Sequence, residues 1–280
     1  MSWDIGGVRI ARVLESVVPF PFDFFAEATP ADVAAEEWLK PHYVDADGRY
    51  LMSIHSFALD AGGVRIVVDT CVGNCKDRAA IPEFDQKRWP YLANLADAGF
   101  HPETVDMVVC THLHVDHVGW NTRLVDGRWV PTFPNARHVF AASDIDCWAH
   151  SSDPLHAPAF ADSVQPVIDA GLVDVVQTDT VLAGDVHLTR TPGHTPGHMS
   201  VWIGDDCVIT GDVLHHPIQC RHPDWTGGGD VDPDTARTTR HDLLADAASK
   251  KALMLGTHFA GTSAGRIVAA RDGYHFVPVP

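Results

Sequence analysis

The chain reads as an α/β protein of many short strands. Short apolar runs recur along its length, several of them are joined in pairs by tight Gly/Asp turns, and two longer stretches carry helical periodicity. Pairs joined by such turns run antiparallel, so the sheets cannot be wholly parallel.

The elements follow in order. Ser53–Leu59 and Val64–Asp69 flank Asp60-Ala61-Gly62-Gly63 as a hairpin. Trp89, Leu92, Leu95 and Ala96 share a face and predict a helix over Trp89–Ala98, after which Val105–Cys110 and Val139–Ala142 read as buried strands. A shorter helix is expected over Ala161–Ala170, closed by Gly171, followed by a strand over Val186–Thr191. Met199–Ile203 and Cys207–Thr210 pair around Gly204-Asp205-Asp206. Asp232 as N-cap and Pro233 in the first turn open a helix over Pro233–Ala248, and Ala252–Leu255 is a further strand. Arg266–Ala270 and Tyr274–Val279 close the chain as a hairpin around Asp272-Gly273. With no repeat, low-complexity stretch or linker in view, residues 1–280 are read as one domain.

Composition narrows the function. Hydrophobic residues make up 45% and charged residues 20% of the 280, ordinary for a globular protein. The formal net charge of −17 disfavours a nucleic-acid partner. No apolar run reaches the roughly 18 residues of a membrane span. MSWDIGGVRI lacks the basic start and apolar stretch of a signal peptide, so no membrane partner and a cytoplasmic location are expected. The six cysteines form no CxxC pair and are expected as free thiols; Cys71-x-x-x-Cys75 alone is a weak metal signal.

The chemistry is carried by a recurring arrangement in which a strand ends and a polar cluster follows. Val105–Cys110 leads to His112, Leu188–Thr191 to His194, Val208–Thr210 to Asp212 and Ala252–Leu255 to His258. The densest cluster is THLHVDHVGW, with His112, His114, Asp116 and His117 inside six residues. A strand turning into a helix there lets all four side chains enter one cavity, and Gly119 allows close backbone approach. Four ligands exceed what one tetrahedral zinc with an open position needs, and suit two metals side by side.

HLHVDH, TPGHTPGH, TGD and GTH, in this order, resemble the metallo-β-lactamase superfamily from about Ser53 to His258. The resemblance implies an αββα sandwich with a binuclear metal site at one edge of the two sheets. It implies His112, His114 and His194 on one metal, Asp116, His117 and His258 on the other, and Asp212 bridging. Two Zn2+ are the implied cofactors, with Mn, Co or Fe as substitutes. Asp69 resembles a buried aspartate that orients a ligand histidine, or is a turn carboxylate, and His198 matches no ligand and is read as a neighbour of the ligands or as structural. His42, His55, His101, His138, His150, His156, His187, His222, His241 and His275 fall outside any motif and are read as solvated or satisfied.

Within the superfamily the chain is most similar to the N-acyl-homoserine lactonase and methyl parathion hydrolase group. Many lactonases there carry a tyrosine three residues after the bridging aspartate; here that position is His215, a group able to serve the substrate oxyanion or leaving group, or to face away. The implied reaction is attack by a metal-bridging hydroxide on a lactone or an aryl or alkyl ester, with organophosphates as a side activity, Asp116 carrying the proton to the leaving group. Hydrolytic dehalogenation, thioester hydrolysis and a non-catalytic zinc-binding scaffold are the alternatives. A hydrophobic small molecule is the expected partner. Phe22, Phe24, Phe25, Trp120, Trp148 and Trp225 are candidates for its pocket, or equally for core or homodimer packing.

Overall fold

The structure, a computed structural model, describes residues 1–271 and 273–279. In chain order it contains β1 (Ser2–Ile5), β2 (Val8–Phe20), α1 (Pro30–Ala35), β3 (Tyr50–Ala61), β4 (Val64–Val68), α2 (Tyr91–Asp97), β5 (Met107–Val109), β6 (Thr122–Val125), β7 (Arg128–Pro131), β8 (Arg137–Ala141) and α3 (Ala142–Trp148). There follow α4 (His156–Ala159), α5 (Gln165–Asp169), β9 (Val173–Val176), β10 (Thr180–Ala183), β11 (Val186–Arg190), β12 (Met199–Ile203), β13 (Cys207–Ile209) and α6 (Ile218–Arg221). The chain closes with α7 (Pro233–Lys250), β14 (Leu253–Leu255), β15 (Ala264–Ala270) and β16 (Gly273–Pro278). Two seven-stranded sheets and a two-stranded ribbon result, a mixed α/β fold as expected. All six cysteines are free. Among the described residues no helix is long and apolar enough to cross a membrane.

The chain divides into two compact units. The first comprises Met1–Ser16 and Ile54–Gly184. Its sheet runs β1-β2-β3-β4-β5-β8-β9, with β4, β5, β8 and β9 parallel to one another. Strands β5 and β8 lie inside that parallel set, where both faces of a sheet are covered and alternation of apolar and polar residues is lost. Successive residues are accordingly buried there: Val108 and Val109 in one strand, Val139 and Phe140 in the other. Gly119 is required by position, since a Cβ there would lie 1.8 Å from the Val72 carbonyl oxygen while its own N–H donates to the Cys71 carbonyl at 2.7 Å.

The second unit comprises Val17–Ser53 and the chain from Asp185 onward. Here β11, β12, β13, β14, β15 and β16 lie side by side in sequence order, all antiparallel except the β13–β14 pair. That parallel pair is joined by the long helix α7, as a parallel connection demands. Asp232 caps α7 by accepting from the Thr235 N–H, and Lys251 in the left-handed conformation ends it. The core gathers Phe25, Tyr50, Trp202, Ile218, Leu244, Met254 and Phe259, among others.

Several expectations shift in detail. Helix α2 starts only at Tyr91 because Pro90 occupies its N-cap. The helix expected over Ala161–Ala170 begins earlier, at His156, and contains a π turn at Phe160–Val164 between α4 and α5. The histidine cluster does not turn into a helix: a loop with one turn bond, His117 N–H to the His114 carbonyl at 3.1 Å, is followed by a single 3-10 turn at Gly119–Asn121. Of the last hairpin's turn, Asp272 lies outside the described residues.

Candidate metal centre

In the first unit β5 ends at Val109 and delivers His112, His114, Asp116 and His117 on the loop that follows. The three histidines are buried and Asp116 is half-buried. The rings of His112 and His117 have centroids 4.0 Å apart, and those of His112 and His114 4.6 Å apart. Two carboxylates from other elements brace the loop. Asp69, just past β4, places Oδ2 3.0 Å from His117 Nδ1 and accepts from the Thr111 N–H at 2.8 Å and the Thr111 hydroxyl at 3.0 Å. With its proton given to Asp69, the Thr111 oxygen is left to accept from His112 Nδ1, 3.0 Å away. Asp144 in α3 accepts from the Leu113 N–H at 3.1 Å.

In the second unit the donors come from three separate strand ends. His194 follows β11, Asp212 follows β13 and His258 follows β14, and all three are buried. One carboxylate oxygen gathers three imidazoles: Asp212 Oδ2 lies 3.1 Å from His258 Nε2 and 3.5 Å from both His194 Nε2 and His215 Nε2. The ligand atoms of His194, Asp212 and His215 all lie within 4.8 Å of one another. His194 Nδ1 donates to Asp230 Oδ1 at 2.9 Å, and His258 Nδ1 to the Ser53 carbonyl at 3.1 Å. The Asp212 N–H donates to His198 Nε2 at 2.8 Å, and the other nitrogen of that ring meets Thr191 Oγ1 at 2.8 Å. His198 therefore orients the Asp212 backbone.

His215 lies with Asp212 rather than facing away. Its ring is 4.8 Å from that of His194, lies parallel to that of His258 at 6.1 Å, and has the edge of Phe24 against it at 5.4 Å. Gly227 must be glycine here, because a Cβ would approach His215 Cε1 to 2.7 Å. Burial, opposed by the Asp212 charge, pushes the His215 pKa down to about 3, so the ring is neutral at pH 7.

The aromatic candidates separate by location. Trp148 stands beside His114, with ring centroids 5.2 Å apart, and Phe24 beside His215. Trp120 stacks on Tyr91 and donates its indole N–H to the buried Glu15 at 2.6 Å. Phe25 packs against Tyr50 and Trp225, while Phe22 is exposed.

Three participants were not legible as such in the sequence. Asp230 holds His194 and is itself held by Arg240, which is fully buried in α7. Burial works to raise the Asp230 carboxyl, but His194, His215 and Arg240 hold it down at about 2. The available signal was Gly227-Gly-Gly-Asp230, a run that lets a carboxylate approach another backbone closely. His156, which had no motif, stacks on His114 at 4.1 Å with an interplanar angle of 21°.

The donor set fits divalent metal. His112, His117, His194 and His258 each turn Nδ1 toward a protein oxygen, which fixes the tautomer that carries a lone pair on Nε2. His258 Nε2 and Asp212 Oδ2 are then two acceptors 3.1 Å apart, a contact that a shared cation stabilises.

The family description "Metallo-beta-lactamase superfamily" matches residues 49–258. The N-acyl homoserine lactonase AttM of Rhizobium radiobacter is 34% identical over 110 residues, 38% of this chain and 38% of that protein. A Drosophila melanogaster protein, beta-lactamase-like protein 2 homolog, is 22% identical over 165 residues, 59% of this chain and 48% of the other. The matched stretch spans only 37–38% of the length of the first lactonase relatives. Among solved structures, hydrolase AbOPH superposes with a TM-score of 0.82 at 24% identity, covering 100% of this chain and 97% of the other. AidC, a dizinc quorum-quenching lactonase in complex with a homoserine product, gives 0.80 at 21% identity, with 100% and 97% covered. At these identities the likeness to both is one of fold. The motifs, the two sheets and the matched span together establish that the chain belongs to the metallo-β-lactamase superfamily.

Proposed function

We propose that this chain is a binuclear zinc hydrolase that opens lactones or cleaves aryl and alkyl esters, working as a single functional domain. His112, His114 and His194 are assigned to one ion, Asp116, His117 and His258 to the other, and Asp212 to both. The observation that carries the reading is the trio of imidazole nitrogens at 3.1–3.5 Å around one Asp212 oxygen, each ring buried. Family membership and the lactonase relatives support the reaction class.

Bound divalent ions make water nucleophilic near neutral pH and polarise the carbonyl under attack. The chain's own groups do the rest. The oxygen of water bonds to the acyl carbon, the bond from that carbon to the leaving oxygen breaks, and Asp116, half-buried on its loop, passes the water proton to the departing alkoxide or phenoxide. Neutral His215 keeps one ring N–H, which it does not release as an acid at pH 7 but can donate as a hydrogen bond to the developing oxyanion. Asp69, Asp230 and the Ser53 carbonyl keep their histidines oriented while charge builds up. Phe24 and Trp148 offer apolar surface to a hydrophobic acyl or aryl group.

Metal analysis of the purified protein beside a panel of lactones, aryl esters, thioesters, phosphotriesters and aryl halides tests this. Two ions per chain and turnover of lactone or ester are expected, and Asp212→Ala should lower kcat/KM by about a thousandfold or more, the scale of losing a shared metal ligand. Fewer than two ions with activity indifferent to Asp212→Ala overturns the binuclear reading. Halide or thiol release without ester cleavage reassigns the reaction on the same residues.

A further inference from the structure

In the first unit a lysine and an arginine are buried around one carboxylate away from the histidine cluster. Lys76 and Arg78 have fully shielded side chains. Arg78 grips Asp162 with two bonds, Nη1 to Oδ2 at 2.9 Å and Nη2 to Oδ1 at 2.8 Å. Lys76 Nζ lies 3.3 Å from Asp162 Oδ1 and 3.6 Å above the Trp129 ring, and it donates to Thr122 Oγ1 at 2.6 Å and to the Asp162 carbonyl at 3.2 Å. The Thr122 hydroxyl donates to that carbonyl at 2.5 Å, and the Ser163 hydroxyl to Oδ1 at 2.5 Å. Taking a lysine and an arginine out of water is costly, and burial pushes the Lys76 pKa down to about 7, while Arg78 alone suffices to neutralise Asp162.

The position of Asp162 gives the arrangement its use. It lies in the π turn Phe160–Val164, a wide and rare geometry that persists where something holds it and is often found at functional sites. Continuous with that turn on its N-terminal side is α4, opened by His156, whose backbone N–H donates to Asp153 Oδ1 at 3.0 Å. The His156 ring stacks on His114 and meets Trp148 at 4.6 Å. The clamp and the His114 wall are thus two ends of one short helical run.

We propose that the Lys76–Asp162–Arg78 clamp is a positioning device that fixes this run and thereby the stand of the His156 ring against His114, setting how substrate is received there. The role in substrate binding rests on the hydrolase reading above; the placement of the ring does not. A small displacement of a positioned group is enough to alter binding and rate.

The test uses the full chain, metal-free and metal-loaded, with Asp162→Asn, Arg78→Lys and His156→Ala. Exchange of the His114 Cε1 hydrogen in metal-free protein, read by mass spectrometry, should speed up by about threefold or more in Asp162→Asn, which releases the covering ring, and in His156→Ala, which removes it. Backbone exchange over residues 156–169 should rise in Asp162→Asn while that of β5 and β8 stays unchanged. With p-nitrophenyl butyrate on loaded protein, both variants should raise KM about fivefold to tenfold with kcat within about twofold, and the double variant should add nothing further. Arg78→Lys, which keeps the charge and loses the fork, should fall between. Should Asp162→Asn not fold, His156→Ala and Arg78→Lys decide. Unchanged His114 exchange, or exposure of residues 156–169 with wild-type KM, overturns the proposal. Wild-type protein without metal or turnover defeats the hydrolase reading instead, and the exchange data still judge the clamp.

Discussion

The two units present histidines in opposite ways. In the first, one loop supplies His112, His114, Asp116 and His117 within six residues, braced by Asp69 and Asp144 from neighbouring elements. In the second, His194, Asp212 and His258 each sit at the end of a different strand, and the adjacency of β11, β12, β13 and β14 brings them to one place. The first arrangement is local and the second depends on sheet register and on α7, which carries Arg240. Long-range packing defects should therefore strike the second set of donors before the first.

The largest such effect is expected from Arg240→Met. The guanidinium is fully buried, donates to the Val213, Pro223 and Trp225 carbonyls at 2.7–2.9 Å and lies 3.3 Å from Asp230. Removing it leaves the buried Asp230 without its cation and takes the guanidinium donor from the Val213 and Pro223 carbonyls, while the Trp225 carbonyl keeps Gln219 Nε2, a loss of about 3–5 kcal/mol. Urea unfolding should show that loss, and metal affinity should fall through His194, which Asp230 orients. A destabilisation below about 1 kcal/mol, the range of an exposed ion pair, would mean that the network adds little to the second unit.

The same contrast explains what could be read from the chain. HLHVDH is legible because its donors are contiguous, and the hairpins and α7 are legible because turn residues and caps act over a few positions. Asp230 and Arg240 were invisible, since nothing local says that a carboxylate after three glycines meets a histidine from another strand end. Strand β2 escaped because buried Glu15, bound by the Val72 and Gly73 N–H groups and Trp120, falls where alternation calls for an apolar residue. The π turn shifts the helical period, so the run from His156 to Asp169 showed only its second part. The apolar segment Pro19–Phe25 hides a strand end at Phe20 and a 3-10 turn at Phe22–Phe24, distinguished by no periodicity.

A second pair of histidines compares the interiors away from the donors. His138 in β8 and His216 are both fully buried, and burial lowers each to a pKa of about 4. His216 is satisfied, with Nε2 bonded to the Tyr43 carbonyl at 2.8 Å and Nδ1 accepting from the Ile218 N–H at 3.2 Å. Neither ring nitrogen of His138 makes a hydrogen bond of ordinary geometry among the described residues, and the Ala136 backbone only partly offsets its burial. A base whose folded pKa is depressed contributes stability above its unfolded value of about 6.5 and loses it as pH falls toward 4, a swing of about 3 kcal/mol per group. His138→Leu should flatten the melting temperature between pH 6.5 and 4 with little cost at pH 8, whereas His216→Leu should cost about 1–3 kcal/mol at pH 8 by orphaning the Ile218 N–H and removing one of two bonds to the Tyr43 carbonyl, which keeps the Leu51 N–H. Equal costs at pH 8 would show that His138 has strong bonds of its own.

The finest comparison sets the two orienting carboxylates against each other. Asp69 reaches His117 at 3.0 Å and is also bound to Thr111, so Asp69→Asn can keep the Thr111 contacts through its remaining carbonyl oxygen. Each substitution turns an amide NH2 toward a ligand-histidine donor, but Asp230, which reaches His194 at 2.9 Å and the Gly227 N–H, also pairs with the buried Arg240, so Asp230→Asn in addition strips a buried guanidinium of its counter-charge. Loss of a carboxylate behind a ligand histidine lowers metal affinity by about 10–100-fold. Asp230→Asn should fall at the upper end and Asp69→Asn at the lower, measured as chelator concentration at half-loss of metal. Reversal of that order would mean that the contiguous loop, for all its local bracing, is the more fragile holder.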